Sequence, residues 1–282
     1  MSKESKGLAG LRVLSLESRR AVEMAKLIAN YGGKPIVAPS MREVPLESNK
    51  EAIAFARGLA RGDFDVILFL TGVGARALAK VAETQYPREQ FIDKLRKVTI
   101  VARGPKPLAV LNEFSVPVAV TAPEPNTWRD LLQALDSSNI SLGGKRLAVQ
   151  EYGEANAELI SGLIERGAKV TQVPVYKWEL PEDTAPLRHA AQALVDGAID
   201  LALFTTSVQI VHLLKVAKDM QLGVRESLAK IIVGSIGPVT SEELREQNVH
   251  VDFEPEHPKM GFLVNEAAKR MSARNSGAKS RE

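Results

Sequence analysis

The sequence predicts an α/β protein in which a parallel-sheet unit occurs twice. Three observations predict it. Short apolar runs alternate with amphipathic helical stretches, glycines close those stretches, and the whole order recurs after about 135 residues. Strand–helix alternation with short links is the pattern of a parallel sheet covered by helices on both faces.

Taken in chain order, the first half opens with "LRVLSLESRRAVEMAKLIANYGGKPIVAPSMREVP" from Leu11. The second opens with "KRLAVQEYGEANAELISGLIERGAKVTQVPVYKWELP" from Lys145. Each is a short apolar strand, a polar turn, an amphipathic helix, a glycine stop (Gly32, Gly167) and a second extended run. Glycine there lets the chain leave the helix through a left-handed conformation. Next, "GDFDVILFLTGVGARAL" from Gly62 lies over "GAIDLALFTTSVQIVHLL" from Gly197, with Asp65 on Asp200, Phe69 on Phe204 and Thr71 on Thr206, each 135 residues on. Then "VTIVARGPKPLAVLNEFSVPVAV" matches "KIIVGSIGPVTSEELREQNVHVDF", with Gly104 on Gly237 and Pro105 on Pro238. Like these two pairs, Pro125 and Pro258 are 133 residues apart. Each half thus reads β-α-β-α-β-α, with helices expected to span 10–18 residues, and Ser, Thr or Asp before the apolar periods supply N-caps.

The chain of 282 residues has room for two domains. With 45% hydrophobic and 25% charged residues the composition is that of an ordinary globular protein. No apolar run is long enough for a membrane span, and "MSKESKGLAG" lacks a signal-peptide core, so a cytoplasmic protein with no membrane partner is expected. The tail "SARNSGAKSRE" reads as unstructured. Zero cysteines exclude disulfides and thiolate chemistry. His189, His212, His250 and His257 have no metal-type spacing, so no metal site is expected. A net charge of +3, dispersed, with 5% aromatics, argues against a nucleic-acid surface and suits an anionic small molecule.

One motif invites a different reading. Gly72-Val73-Gly74-Ala75-Arg76-Ala77 follows the apolar run "DVILFL" and has the G-x-G-x-x-A spacing of a dinucleotide-binding loop. Its counterpart in the repeat, "TTSVQIVH", has no glycine. The following strand "VTIVA" is succeeded by Arg103, where a ribose-binding carboxylate would be needed. A nicotinamide site therefore fails its context. What remains is a set of βα turns at strand carboxyl ends, where open α/β sheets collect ligands and helix N-termini favour anions. In the first half these are Ser18-Arg19-Arg20, Thr71 to Gly74 and Arg103 to Lys106. In the second they are Glu151 to Glu154, Thr205-Thr206-Ser207 and Ser235 to Thr240. Singly they are ordinary turn residues. As a doubled set they favour a large ligand with several carboxylates.

The segments "VQEYGEANAELISGLIERGAKVTQVPVYKWELP", "IDLALFTTSVQIVHLL", "VGSIGPVTSEEL" and "PEHPKMGFLV", in that order, resemble the uroporphyrinogen-III synthases, over about residues 8–270. The resemblance implies two Rossmann-like (flavodoxin-like) lobes joined by a two-stranded β linker, with each repeat's first βα unit packed into the other repeat's lobe. That would place 1–37 with 183–270 in one lobe, 49–171 in the other, 38–48 and 172–182 in the connecting strands, and 271–282 in a disordered tail. It also implies a reaction without cofactor or metal. Hydroxymethylbilane loses its hydroxyl as water, and the resulting azafulvene attacks the substituted carbon of the terminal ring. A spiro intermediate forms and recloses with ring D inverted, giving uroporphyrinogen III for haem and sirohaem. The expected state is a cytoplasmic monomer, with hydroxymethylbilane synthase as a transient partner.

The resemblance points to Tyr176 in "VPVY" and Thr240 in "SIGPVT" as the catalytic candidates. Substrate-binding candidates are Ser18, Arg19, Thr71, Gly72, Val73, Gly74, Arg103, Gly104 and Lys106, with Tyr152, Gly153, Thr205, Thr206, Ser207, Ser235, Ile236, Gly237 and Pro238 from the second half. Two first-half turns depart from the family: Pro107 stands where threonine is common after "GPK", and "FLTGVG" replaces an "FTSxN"-type turn. The other function class compatible with the sequence is a two-lobed protein that binds or senses an anionic ligand without chemistry.

Overall fold

The computed structural model describes residues 7–45, 49–151, 153 and 156–279. It divides into two units, one of residues 1–42 with 179–282 and the other of residues 43–178.

Unit 1 begins with β1 (Arg12–Ser15), α1 (Ala21–Asn30) and β2 (Lys34–Val37). The chain crosses to unit 2 through β3 (Arg42–Pro45). There it forms α2 (Lys50–Arg61), β4 (Val66–Phe69), α3 (Gly72–Glu83), α4 (Arg88–Leu95), β5 (Thr99–Ala102) and α5 (Pro105–Glu113). The same unit continues with β6 (Val120–Thr121), α6 (Trp128–Asp136), β7 (Arg146–Gln150), α7 (Ala157–Glu165) and β8 (Lys169–Val173). The chain returns through β9 (Tyr176–Glu179), which pairs with β3 as a two-stranded sheet. Unit 1 is completed by α8 (Ala185–Val195), β10 (Leu201–Phe204), α9 (Val208–Val216), α10 (Gln221–Leu228), β11 (Ile232–Ser235), α11 (Pro238–Glu246) and α12 (Met260–Lys279).

Both sheets are parallel, with strand orders β11-β10-β1-β2 in unit 1 and β6-β5-β4-β7-β8 in unit 2. The opening βα unit of each repeat therefore completes the sheet of the other. The same clamp closes both exchanges. In unit 1, Arg12 donates from its backbone N–H and from Nε to Asp200 Oδ2 (2.7 and 2.9 Å) and from Nη2 to Oδ1 (2.7 Å). In unit 2, Arg146 makes the same three bonds to Asp65 at 2.9, 3.2 and 2.9 Å. These bonds hold both aspartate carboxyls below the usual range, in each case chiefly through the arginine side chain.

Side-chain alternation along the strands sorts the core. In β4, Ile67 and Phe69 pack with α2, α3, α4 and α5, while Val66 and Leu68 face α6 and α7. In β10, Ala202 and Phe204 pack with α8 and α9, and Leu201 and Leu203 with α1 and α12. Most strands have four or five residues, and every helix but one runs 8–12 residues rather than up to 18. A helix rising 1.5 Å per residue needs only about 10 residues to span a four- or five-residue strand.

The exception bears on the tail expected to be disordered at 271–282, of which 280–282 lie outside the described residues. Residues 271–279 continue the 20-residue α12. Its apolar stripe, Leu263, Val264, Ala267, Ala268 and Met271, has helical spacing and is buried against Val13, Met24 and Ile28. No helix among the described residues is long and apolar enough to cross a membrane.

Candidate functional site

In unit 2 the connections wind outward from β4 through β5 to β6 and, in the other direction, from β7 to β8. The topological switch point, where open parallel sheets place ligands, therefore lies between the carboxyl ends of β4 and β7. Thr71 and Gln150 meet there. Thr71 is extended (φ −143°) and is the N-cap of α3, its Oγ1 accepting the Gly74 N–H at 3.0 Å. Its own N–H donates to Gln150 Oε1 (3.3 Å), and its Oγ1 lies 3.3 Å from the Tyr176 hydroxyl. Gln150 is fully buried and donates from Nε2 to the Glu151 carbonyl.

The glycines of this turn now have a physical account. A Cβ on Gly74 would lie 2.0 Å from Gln150 Nε2, and one on Gly72 would lie 2.7 Å from the Lys106 carbonyl oxygen. They make room for a carboxamide and for the backbone of α5, which explains a G-x-G spacing without a dinucleotide. Val73 between them is exposed.

Around this pair, Tyr176 is 4% exposed and stacks edge-on against Trp178 (centroids 5.6 Å apart). The Trp178 indole occupies the place a Cβ on Gly153 would take, and Gly153 has φ +63°. Tyr152 lies outside the described residues. Glu151 is 6% exposed, donates its N–H to the Val173 carbonyl (3.1 Å) and accepts at Oε1 from Gln172 Nε2 (2.8 Å). Burial pushes its carboxyl above the usual range, and the Gln172 bond opposes this only in part. Gly104 caps α5, with Pro105 at its first position, and its missing Cβ leaves room for the Asn126 carboxamide. Arg103 is half-buried and Lys106 exposed.

Unit 1 has its switch point between β10 and β1. Glu17 accepts there from Thr205 Oγ1 (2.5 Å) and from the Arg20 N–H (3.1 Å). Thr205 also exchanges two bonds with Gln209 (2.7 and 2.8 Å). Ser18 Oγ accepts the Ser40 and Met41 N–H groups at 3.1 Å each, which ties it to the chain leaving β2. Ser235 is buried and bonded to both backbone groups of Gly237. Gly237 caps α11, Pro238 opens it, and Thr240 is buried in its first turn, while Ile236, Thr206 and Ser207 are half-buried and Arg19 is exposed. The structure thus gathers Thr71, Gly72, Gly74 and Tyr176 in one constellation, and Thr205, Ser235, Gly237 and Thr240 at strand ends of the other unit. The Ser18 and Ser235 hydroxyls are engaged by backbone groups of Ser40, Met41 and Gly237 in the same unit.

Sequence reading passed over Gln150, Trp178 and the roles of Glu17 and Glu151. The last two had a signal, because Glu17 and Glu151 occupy the same position of the repeat. A groove of about 500 Å³ lined by Leu135 to Gly143 and Arg166 lies at the amino ends of the strands, away from all of these residues.

A family model described as uroporphyrinogen-III synthase HemD matches residues 22–265, most of the chain and parts of both units. The chain belongs to the uroporphyrinogen-III synthase family. Among proteins, it is 30% identical over 269 residues to YjjA, an uncharacterized protein of Bacillus subtilis (94% of this chain, 97% of that one). It is also 30% identical over 233 residues to a Methanothermobacter thermautotrophicus protein provisionally named a uroporphyrinogen-III synthase (82% and 87%). Among solved structures, a mutant uroporphyrinogen III synthase of Thermus thermophilus in one crystal form is 28% identical with a TM-score of 0.72, covering 94% of this chain and 100% of that one. The wild-type enzyme in a second crystal form is 27% identical with a TM-score of 0.56 (94% and 99%). The two-unit α/β fold is that of the uroporphyrinogen III synthases.

Proposed function

We propose that this member of the family is a uroporphyrinogen-III synthase, converting hydroxymethylbilane to uroporphyrinogen III with loss of water and inversion of ring D. The observation that carries the reading is the family match across both units; the geometry at the switch point of unit 2 supports it. The substrate carries eight carboxylates, and in unit 2 the N-termini of α3 and α5 offer N–H groups beside glycines where carboxylates can dock. Tyr176 and Thr71 form a hydroxyl pair that can hydrogen-bond the departing hydroxyl. A phenol with a pKa of about 10 orients that group better than it protonates it.

The same bilane closes unaided to the uninverted isomer I, so the protein's task is mainly geometric. It holds the azafulvene carbon over the substituted carbon of the terminal ring and away from the free one. Positioning of this kind is worth several kcal/mol, up to about 7–11 in favourable cases. No step calls for a cofactor.

The test is isomer analysis. Hydroxymethylbilane is generated in situ by its synthase with this protein in excess, the products are oxidised, and the uroporphyrins are resolved by chromatography. The reading requires isomer III to replace isomer I. Isomer I alone in the presence of folded protein would refute it, and tetrapyrrole binding without turnover would identify a binding protein instead.

A further inference from the structure

We infer that Glu151 is the proton donor on which the hydroxyl of the bilane departs as water. The assignment rests on the synthase reading above and adds to it the residue that performs the acid step.

Position comes first. Glu151 follows β7 directly, at the switch point of unit 2, and its carbonyl is held by the Gln150 carboxamide that also binds Thr71. The Tyr176 hydroxyl that meets Thr71 is thereby linked to the Glu151 main chain, while the Glu151 carboxyl itself bonds Gln172 on the neighbouring strand β8.

Protonation comes second. The Glu151 side chain is buried, its one side-chain hydrogen bond among the described residues comes from the neutral Gln172 amide, and no ion pair there includes it. A carboxyl withdrawn from water without a counter-charge resists ionisation, and the upward displacement described above has burial as its main cause. A neutral acid also does not repel a substrate with eight carboxylates, whereas an ionised one would.

The repeat supplies an internal control. Glu17 occupies the equivalent place in unit 1, and both of its oxygens are committed: one accepts from Thr205 and the other from the Arg20 N–H at the start of α1. In unit 2 that local task has passed to another residue. Asn156 caps α7, its Oδ1 accepting the Leu159 N–H at 2.6 Å. Among the described residues Glu151 makes neither of its twin's two bonds, and it remains a buried carboxyl at the switch point.

The step balances. The Glu151 proton passes to the hydroxyl oxygen, the C–O bond breaks with its electron pair on oxygen, and water leaves. The pyrrole nitrogen lone pair feeds a double bond to the vacated carbon, giving the azafulvene in its N-protonated form, with the Glu151 carboxylate as its counter-charge. The azafulvene methylene carbon bonds to the substituted α-carbon of the terminal ring, giving the spiro intermediate. The bond from that α-carbon to its original bridge then breaks, leaving the bridge carbon as a second N-protonated azafulvene on the neighbouring ring. The free α-carbon of the terminal ring bonds to this released bridge carbon and sheds its hydrogen as a proton, which reprotonates the Glu151 carboxylate. Net loss is one water.

The experiment compares two leaving groups. Wild type, Glu151→Gln and Glu151→Asp are assayed for isomer III on hydroxymethylbilane and on the bilane whose hydroxyl is replaced by a protonated amine. The amine departs as ammonia and needs no donated proton. Glu151→Gln should lose about 100-fold or more on the hydroxyl substrate and only a few-fold on the amine, with Glu151→Asp recovering part of the loss. Unchanged turnover of the hydroxyl substrate by Glu151→Gln, while wild type makes isomer III, would overturn the assignment and leave the synthase reading intact. Equal losses on both substrates would mean a structural role and overturn it as well. If wild type made only isomer I, the reading and the assignment would fall together.

Discussion

Gly74→Ala tests the account of the glycine turn quantitatively. The new Cβ would stand 2.0 Å from Gln150 Nε2, 2.4 Å from Cδ and 2.6 Å from Oε1, so the whole carboxamide must leave its place. Gln150 is fully buried, and its displacement breaks the bond from the Thr71 N–H and the one to the Glu151 carbonyl. Stranding a buried polar group costs about 1–3 kcal/mol, and overfilling a packed site costs about 1–3 kcal/mol. Against this, alanine in a helix gains up to about 1 kcal/mol over glycine. The expected net loss is about 1–5 kcal/mol. Both tryptophans, Trp128 and Trp178, lie in unit 2, so urea unfolding followed by tryptophan fluorescence reads this unit selectively. In a Gln150→Ala background the space is already empty, and Gly74→Ala should there be neutral or stabilising by up to about 1 kcal/mol. A neutral Gly74→Ala in the native background would refute the packing account. So would an equal loss in both backgrounds.

Tyr176→Phe removes one member of the hydroxyl pair with Thr71; unit 2 should lose about 1 kcal/mol in the same urea assay, and isomer III should form more slowly. The aspartates of the two repeat clamps have lowered pKa values in the folded state, so their contribution to stability is present above the unfolded value of about 3.9 and is lost as pH falls through the lowered folded value. Urea midpoints of wild type and of Asp65→Asn, read by fluorescence, should therefore differ most above about pH 4 and converge below it; a pH-independent gap would contradict the clamp. Glu151 has the opposite sign. Its carboxyl is raised by burial, so its contribution is complete below the unfolded value of about 4.3 and is lost as pH rises through the folded one, and wild type should fall behind Glu151→Gln over that rise. Met271→Ala should cost unit 1 about 2–5 kcal/mol by circular dichroism if α12 packs as described; an unchanged midpoint would return the tail to disorder.

Much of the architecture was legible because each strand is a short apolar run and each helix an amphipathic one. Asp65 and Asp200 marked the repeat in sequence, and the matching Arg146 and Arg12 clamps show why they recur. The exchange of opening βα units was not in the residues. It came from family resemblance, since a parallel strand pairs as readily with one sheet as with another until the whole fold is assembled. The site was less legible. The repeat was enough to reject a dinucleotide loop at Gly72 and Gly74, but what Gly74 accommodates is Gln150, 76 residues further along the chain, and what Gly72 accommodates is the Lys106 backbone. Contacts at that separation leave no periodicity or spacing to read. The helical continuation over 271–279 was not legible because polar residues around Met271 hid the end of a helical stripe.

The central claim is that this chain catalyses ring inversion rather than merely holding a tetrapyrrole. The most direct measurement supplies hydroxymethylbilane in about hundredfold excess over the protein and follows the isomer composition until the bilane is exhausted. A catalyst should leave isomer III as the dominant product, many molecules for each protein chain. A product mixture of isomer I, with isomer III no more abundant than the protein itself, would contradict the claim.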